Sequence, residues 1–307
     1  MSLKVAILGG TSHIAGSLVP HLIAKGAAIT LFARSPEKLL PSPCKVVGGF
    51  DALMTERFDL LINCIGAGTP KELASDYNRW FSVLEKFDNL SLDYLKNVNS
   101  SALYVTFSSG AVYGRKGDAP STEESSWQLF PNRINVPDYY ALSKIYSEAK
   151  HRSLPHLRIA DLRIFSFFSR SIDLDSGYFM TDLVKALIAN ECFETPSQEL
   201  IRDYPHPADL TELILTCSRQ EQINQAIDVA SSKPVSKQEI LDSFAAKFKL
   251  KYRFTASSAP RSPNGNANIY LPTGTMAEKR LNWKAHYSSL ETLISETKAI
   301  MGYYKNA

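Results

Sequence analysis

The stretch "LGGTSHIAGS" (residues 8–17) follows the apolar run "KVAIL" (4–8) and leads into a segment of helical character, 15–25. A strand that turns through glycines into a helix offers free backbone N–H groups and the positive end of a helix dipole to an anion, such as the pyrophosphate of a dinucleotide. The spacing departs from the common glycine pattern. With Gly9 first, Ser12 and His13 stand where a second glycine is expected, and Ala15 takes the third place. Gly9 and Gly10 can make the tight turn. Ser12 can offer a hydroxyl to a phosphate or cap the helix. By itself the stretch fits a phosphate loop and a plain capped turn equally well. As a phosphate loop, its candidate ligands are Gly9, Thr11, Ser12, His13 and Ile14. His13 has two readings. It points away from the ligand, into solvent or toward a neighbouring loop, or its imidazole contacts a phosphate and makes cofactor affinity depend on pH near about 6–7.

Outward from this loop, short apolar runs alternate with longer mixed segments. "AITLFA" (28–33), "KVV" (45–47), "DLLINCI" (59–65), "LYVTF" (103–107) and "LRIADLRIF" (157–165) are strand-like, and 78–97 and 138–152 are candidate helices. The runs are too continuous for strands with one wet face, so they suit a sheet covered on both sides. Strands alternating with helices predict a parallel sheet with right-handed crossovers. Helical periodicity returns at 178–189, 237–248 and 290–304, with a loop-like stretch at 257–268.

Composition narrows the class. The chain has 307 residues, 44% hydrophobic and 21% charged, with a net charge of +3. Scattered Lys and Arg residues give no clustered basic face for nucleic acid. Cys44, Cys64, Cys192 and Cys217 lie far apart without a CxxC pair. Reduced thiols in a cytoplasmic protein, and no metal site, are the expectation. No apolar run reaches the roughly 18 residues of a membrane span, and "KVAIL" is too short for the core of a signal peptide.

The second strand carries a cofactor signal. NAD-specific sites place an acidic residue at its end to bond the ribose 2′-OH. Here the place falls to Ala33, followed by Arg34 and Ser35. Without a carboxylate a 2′-phosphate is not repelled, and a guanidinium attracts it bidentately. NADP(H) is therefore favoured over NAD(H).

"YYALSK" (139–144) sets Tyr140 and Lys144 at i, i+4, on one helix face. A nearby ammonium stabilises a phenolate, which suits a general acid/base, and the lysine can hold the cofactor ribose. "VTFSSGAVYG" (105–114) puts Ser108 and Ser109 just after a strand, where α/β sheets bind ligands.

The order of a glycine turn, "SSGAVYG", Tyr-x-x-x-Lys and "LRIFSFF" (162–168) resembles the extended branch of the short-chain dehydrogenase/reductase superfamily, the NAD(P)-dependent epimerase/dehydratase family acting mostly on nucleotide sugars. "IRDYPHPADL" (201–210), "AIDVASSKPVSKQEIL" (226–241) and "AEKRLNW" (277–283) extend the likeness over nearly the whole chain. The resemblance implies an α/β fold: a Rossmann-type doubly wound parallel sheet with a smaller C-terminal α/β substrate-binding lobe. It implies an NAD(P)-binding domain at 1–166 with later core segments near 205–230, and a substrate-binding lobe from 167–204 and 231–307. It also implies a nucleotide-sugar substrate and allows a homodimer through a four-helix interface.

By position in the family, Tyr140 is the acid/base, Lys144 its ribose-binding partner, and Ser109, three residues before Val112, the hydroxyl that polarises a carbonyl. Arg202 and Arg261 match arginines that clamp a diphosphate. Asn89 falls near a family helix asparagine, and Asn264 stands where aspartate is frequent.

Departures from the family constrain the reaction. Dehydratases carry Asp-Glu directly after the catalytic hydroxyl. Gly110 and Ala111 occupy those places and cannot transfer protons. Two hydride-transfer readings remain. One is NADPH-dependent reduction of a 4-keto sugar, toward which Ala33 and Arg34 lean. The other is epimerisation with tightly bound NAD. A non-catalytic NADP(H) sensor is a third reading, but sensors typically lose the Tyr-Lys pair kept here. Ile164 and Ser166 replace a usual proline and a substrate-binding asparagine.

Overall fold

The computed structural model describes residues 2–66, 76–114, 119–256, 268–273 and 275–306. The strand β1 (Lys4–Leu8) decides how the layers are arranged. Val5 and Ile7 enter one apolar cluster, Ala6 and Leu8 another, and all four are fully buried. Side chains alternate across a strand, so both faces of the sheet must be covered. The first cluster is completed by Ala15, Leu18 and Leu22 of α1 (His13–Ala24) and by Leu210, Leu213 and Ile214 of α5 (Pro207–Ser218). The second takes Leu92, Tyr94 and Leu95 of α2 (Asn78–Asn97).

The remaining strands of this sheet are β2 (Ala28–Ala33), β3 (Lys45–Gly48), β4 (Leu60–Asn63), β5 (Leu103–Ser109), β6 (Ile159–Ile164) and β9 (Asn224–Asp228). The spatial order is β3-β2-β1-β4-β5-β6-β9, with every pair parallel. This is the expected doubly wound sheet. The order reverses between β1 and β4, and a crevice opens there at the carboxyl ends of the strands.

Element ends differ slightly from the pattern in the sequence, for local reasons. α1 begins at His13 because Ser12 caps it, its hydroxyl accepting from Ala15 N at 3.2 Å. β4 stops at Asn63, whose Oδ1 takes the Ile65 N–H at 3.0 Å and turns the chain out of the sheet. α3 (Val136–Arg152) starts earlier than expected, at a capping box between Asn135 and Asp138.

The smaller lobe has its own core of Phe168, Met180, Leu183, Phe193, Tyr204, Ile240, Phe244 and Leu293. It comprises α4 (Phe179–Ala189), β7 (Cys192–Pro196), β8 (Ile201–Arg202), β10 (Val235–Ser236), α6 (Lys237–Phe248), β11 (Lys251–Thr255), β12 (Ile269–Tyr270) and α8 (Ser289–Asn306). Its strands form a β10-β8-β12 ribbon and a parallel β11-β7 pair. α7 (Thr275–Leu281) turns back to the main sheet, where Ala277, Leu281 and Trp283 join the first cluster. Among the described residues no helix is long and apolar enough to cross a membrane.

Candidate active site

Between the sheet and the lobe lies a cavity of about 760 Å³. β5 delivers Ser108 and Ser109 to its edge, and α3 delivers Tyr140 and Lys144. The two serines part there. Ser108 Oγ donates to Glu148 Oε1 at 2.5 Å, within an ion pair of Glu148 with Arg163, and is thereby used structurally. Ser109 faces the cavity. Its hydroxyl bonds Tyr140 and lies 3.3 Å from the Tyr270 hydroxyl. The three sequence-predicted groups Ser109, Tyr140 and Lys144 therefore share one wall.

Their electrostatics correct one expectation. Burial raises the Tyr140 hydroxyl above its usual range, and the bond to Ser109 only partly opposes this. Lys144 is not among the groups that lower it: the ammonium donates to the Phe107 carbonyl at 2.7 Å and lies 5.7 Å from the centroid of the Tyr140 ring. Burial lowers Lys144 to about 8, against the attraction of Asp161, Glu148 and Asp88. It is still mainly cationic at neutral pH.

Gly110 is sterically required. A Cβ there would lie 2.4 Å from the Phe165 ring. An acidic side chain in the dehydratase position would have to displace that ring, itself a buried member of the pocket wall.

The loop at the switch point fits a pyrophosphate. Gly9 has φ +79, and a Cβ on it would come within 2.8 Å of Ile65. Gly9 N and Gly10 N both donate to Phe32 O, which fastens the turn to β2. The first-turn N–H groups of His13 and Ile14 have no intrahelical acceptor, and both residues line the cavity. Thr11 is exposed beside them. Ser12 caps α1, and its hydroxyl also bonds the Cys64 thiol. His13 turns toward the loop after β6: Nε2 is 2.8 Å from Ser169 Oγ, and the ring packs on Phe167. Burial lowers its pKa to about 4. Of the two readings of His13, the turn toward a neighbouring loop is the one found, and the imidazole stays neutral through pH 6–7. Arg34, exposed at the end of β2, takes part in no hydrogen bond or ion pair among the described residues, and the neighbouring Ser35 makes no cap bond with its side chain.

Asn89 does not reach the cavity. It is exposed on α2 and accepts from Lys150 Nζ at 2.5 Å. One residue earlier, Asp88 points inward and bonds His151 Nε2 at 2.6 Å, while His151 Nδ1 meets Asp161 at 2.7 Å. Burial alone would lower His151, but these two carboxylates outweigh it and raise its pKa to about 9.

On the lobe side, Arg202 is buried at the cavity wall. Its guanidinium donates to Ile201 O at 2.8 Å and Asn268 O at 3.2 Å and lies 6.0 Å from the Tyr270 ring centroid. Ile164 and Ser166 line the same cavity. Arg261 and Asn264 lie outside the described residues. Sequence reading missed the aromatic enclosure: Trp80 packs on Tyr140 at 5.9 Å, and Trp127, Tyr178 and Tyr270 close the space around it. The only signal for Tyr270 was an apolar pair, "IY", beside the unremarkable loop at 257–268.

The family pattern described as "NAD dependent epimerase/dehydratase family" matches residues 5–230. A UDP-glucose 4-epimerase of Streptococcus mutans is 29% identical over 118 residues, which is 38% of this chain and only 34% of that relative's length. A UDP-glucose-4-epimerase from Stenotrophomonas maltophila, solved with NAD and formylated UDP-arabinopyranose, superimposes with a TM-score of 0.80 at 16% identity, covering 99% of this chain and 100% of that one. An epimerase from Methanothermobacter thermautotrophicus gives 0.82 at 16% identity over 99% and 94% of the two chains. At such identities these structures speak for the fold.

Proposed function

The chain belongs to the NAD dependent epimerase/dehydratase family, in the extended branch of the short-chain dehydrogenases/reductases, and on that premise we propose that it is an enzyme performing hydride-transfer chemistry on a nucleotide-activated sugar. The observation that carries this reading is the shared wall of Ser109, Tyr140 and Lys144 in a cavity that also holds Arg202, with Gly110 and Ala111 in place of an elimination pair. The cofactor, when bound, supplies or accepts the hydride. Tyr140 moves the hydroxyl proton of the reacting carbon. Ser109 donates to that oxygen and orients it. Lys144 holds the ribose, and Arg202 grips the substrate diphosphate. Gly9, Thr11, Ser12, His13 and Ile14 hold the cofactor pyrophosphate. In this assignment residues 1–166 and the segments near 205–230 serve the cofactor, and 167–204 with 231–307 serve the substrate.

Within this chemistry we put epimerisation first, because the relatives above are epimerases. A second reading, NADPH-dependent reduction of a 4-keto sugar, is favoured by Ala33, Arg34 and Ser35 at the end of β2, which are also the ground for proposing NADP(H) over NAD(H). A homodimer and a cytoplasmic setting are proposed on the resemblance alone. The test is to incubate the protein with UDP-glucose and follow UDP-galactose by chromatography alongside NADPH by absorbance. Interconversion without cofactor consumption is the expected result. Stoichiometric NADPH oxidation with a 4-keto nucleotide sugar, and no interconversion, would replace it by the second reading. Loss of neither substrate would remove both.

A further inference from the structure

The β10-β8-β12 ribbon forms part of the cavity wall in the lobe. β8 and β10 are antiparallel, with Arg202 opposite Val235 and Ile201 opposite Ser236. The ladder continues one step, Lys237 N donating to Leu200 O at 2.8 Å. Alternation puts Leu200, Arg202, Val235 and Lys237 on one face, and all four line the cavity while Ile201 and Ser236 do not. Arg202 and Lys237 stand on a diagonal of the ribbon, a spacing of about 7–8 Å.

Lys237 is costly where it stands. It is 3% exposed. It is the first residue of α6, at the positive end of the helix dipole, where a cation is disfavoured. Its ammonium donates to the carbonyls of Pro196 and Gln198 and lies 5.8 Å from the centroid of the Phe254 ring. Two carbonyls use two of its three donors. Among the described residues no carboxylate is within ion-pair distance, and Glu199 acts on it only from farther away. Burial accordingly holds the amine below the usual lysine range. A second buried cation, Arg202, lines the same cavity. Each of these costs is relieved by an anion lying between the two side chains.

We propose that Lys237 is the second cation of a substrate site shared with Arg202, and that the anion it takes is the diphosphate of the nucleotide substrate. The guanidinium can grip one phosphate bidentately while the ammonium meets the other as a point charge. Phe193 and Tyr204, on the same cavity, offer aromatic surface for the base. This rests on the nucleotide-sugar reading and deepens it.

Isothermal titration of the full-length protein with UDP and with uridine tests it. In K237Q the affinity for UDP should fall about 10-fold or more, the worth of a hydrogen bond to a charged group, while uridine affinity stays within about twofold. K237R should recover most of the UDP affinity. Unchanged UDP binding in K237Q overturns the inference and leaves the nucleotide-sugar reading in place. A parallel loss for UDP and uridine also overturns it, making Lys237 a clamp on the 196–198 segment. A wild-type protein that binds neither ligand overturns the inference and the reading together.

Discussion

The two ends of α3 carry buried ionisable groups with opposite treatment. At its C-terminal end His151 is held between Asp88 and Asp161, and each aspartate has a further cation, Lys150 at 2.7 Å and Arg152 at 2.6 Å. Glu148, one turn earlier, meets Arg163 at 2.6 Å. Every buried charge there has an opposite charge in contact, as a structural network requires. Two turns toward the N-terminus, Tyr140 has Ser109, and Lys144 has a single carbonyl. The same helix thus anchors itself to the sheet with one end and presents under-partnered groups to a cavity with the other. Incomplete pairing, rather than burial, separates the candidate catalytic groups from the structural ones.

That contrast can be broken by substitution. Tyr140→Phe should lower kcat about 10³-fold, the usual share of a general acid/base, while stability in urea changes by less than about 1 kcal/mol. Retained turnover would remove Tyr140 from the chemistry, and a large loss of stability would show that it belongs with the anchoring end. His151→Ala should do the reverse. Removing one member of a buried ion network costs about 3–5 kcal/mol, read as a shifted urea midpoint, with the pH dependence of the residual activity unchanged.

The anchoring end also has a pH signature. The folded-state pKa of His151, about 9, lies above its ordinary value of 6.5. Its contribution is fully present below about pH 6.5 and is lost as pH rises through about 9. Wild-type stability should decline across that window, and the His151→Ala protein should lack this decline. A wild-type curve flat from pH 6.5 to 9.5 would mean the imidazole is neutral in the fold.

The smallest expected effect concerns a residue outside the cavity altogether. Arg34→Ala should weaken NADPH binding about 10-fold, through loss of a charged hydrogen bond, and leave NADH within about twofold. Equal loss for both would show that Arg34 does not read a 2′-phosphate.

Much of the sheet could be read from the chain, since continuous apolar runs bounded by turn residues are local properties. β1, β2 and β5 begin where the sequence put them, and α2 spans the expected 78–97. The pairing of Tyr140 with Lys144 was legible for the same reason, being one helical turn. Ser109 over Ser108 was carried by resemblance, and its physical ground appears only in the fold: Glu148, 40 residues away, claims Ser108.

What the sequence determined by itself was therefore the layer order, the turn at Gly9 and the acid/base spacing, each fixed by residues within a few positions of one another. Tertiary structure alone decided the direction of His13, set by Ser169 at 156 residues' separation, the enclosure of Ser109 by Tyr270 at 161, and the inward turn of Asp88 toward His151 at 63. It also put Lys237 and Arg202 on one face of a β-ribbon, through a register that no local pattern encodes. Local periodicity fixes which elements form and which faces they bury. Which distant polar groups meet, and which are left short of a partner, follows from how those faces pack.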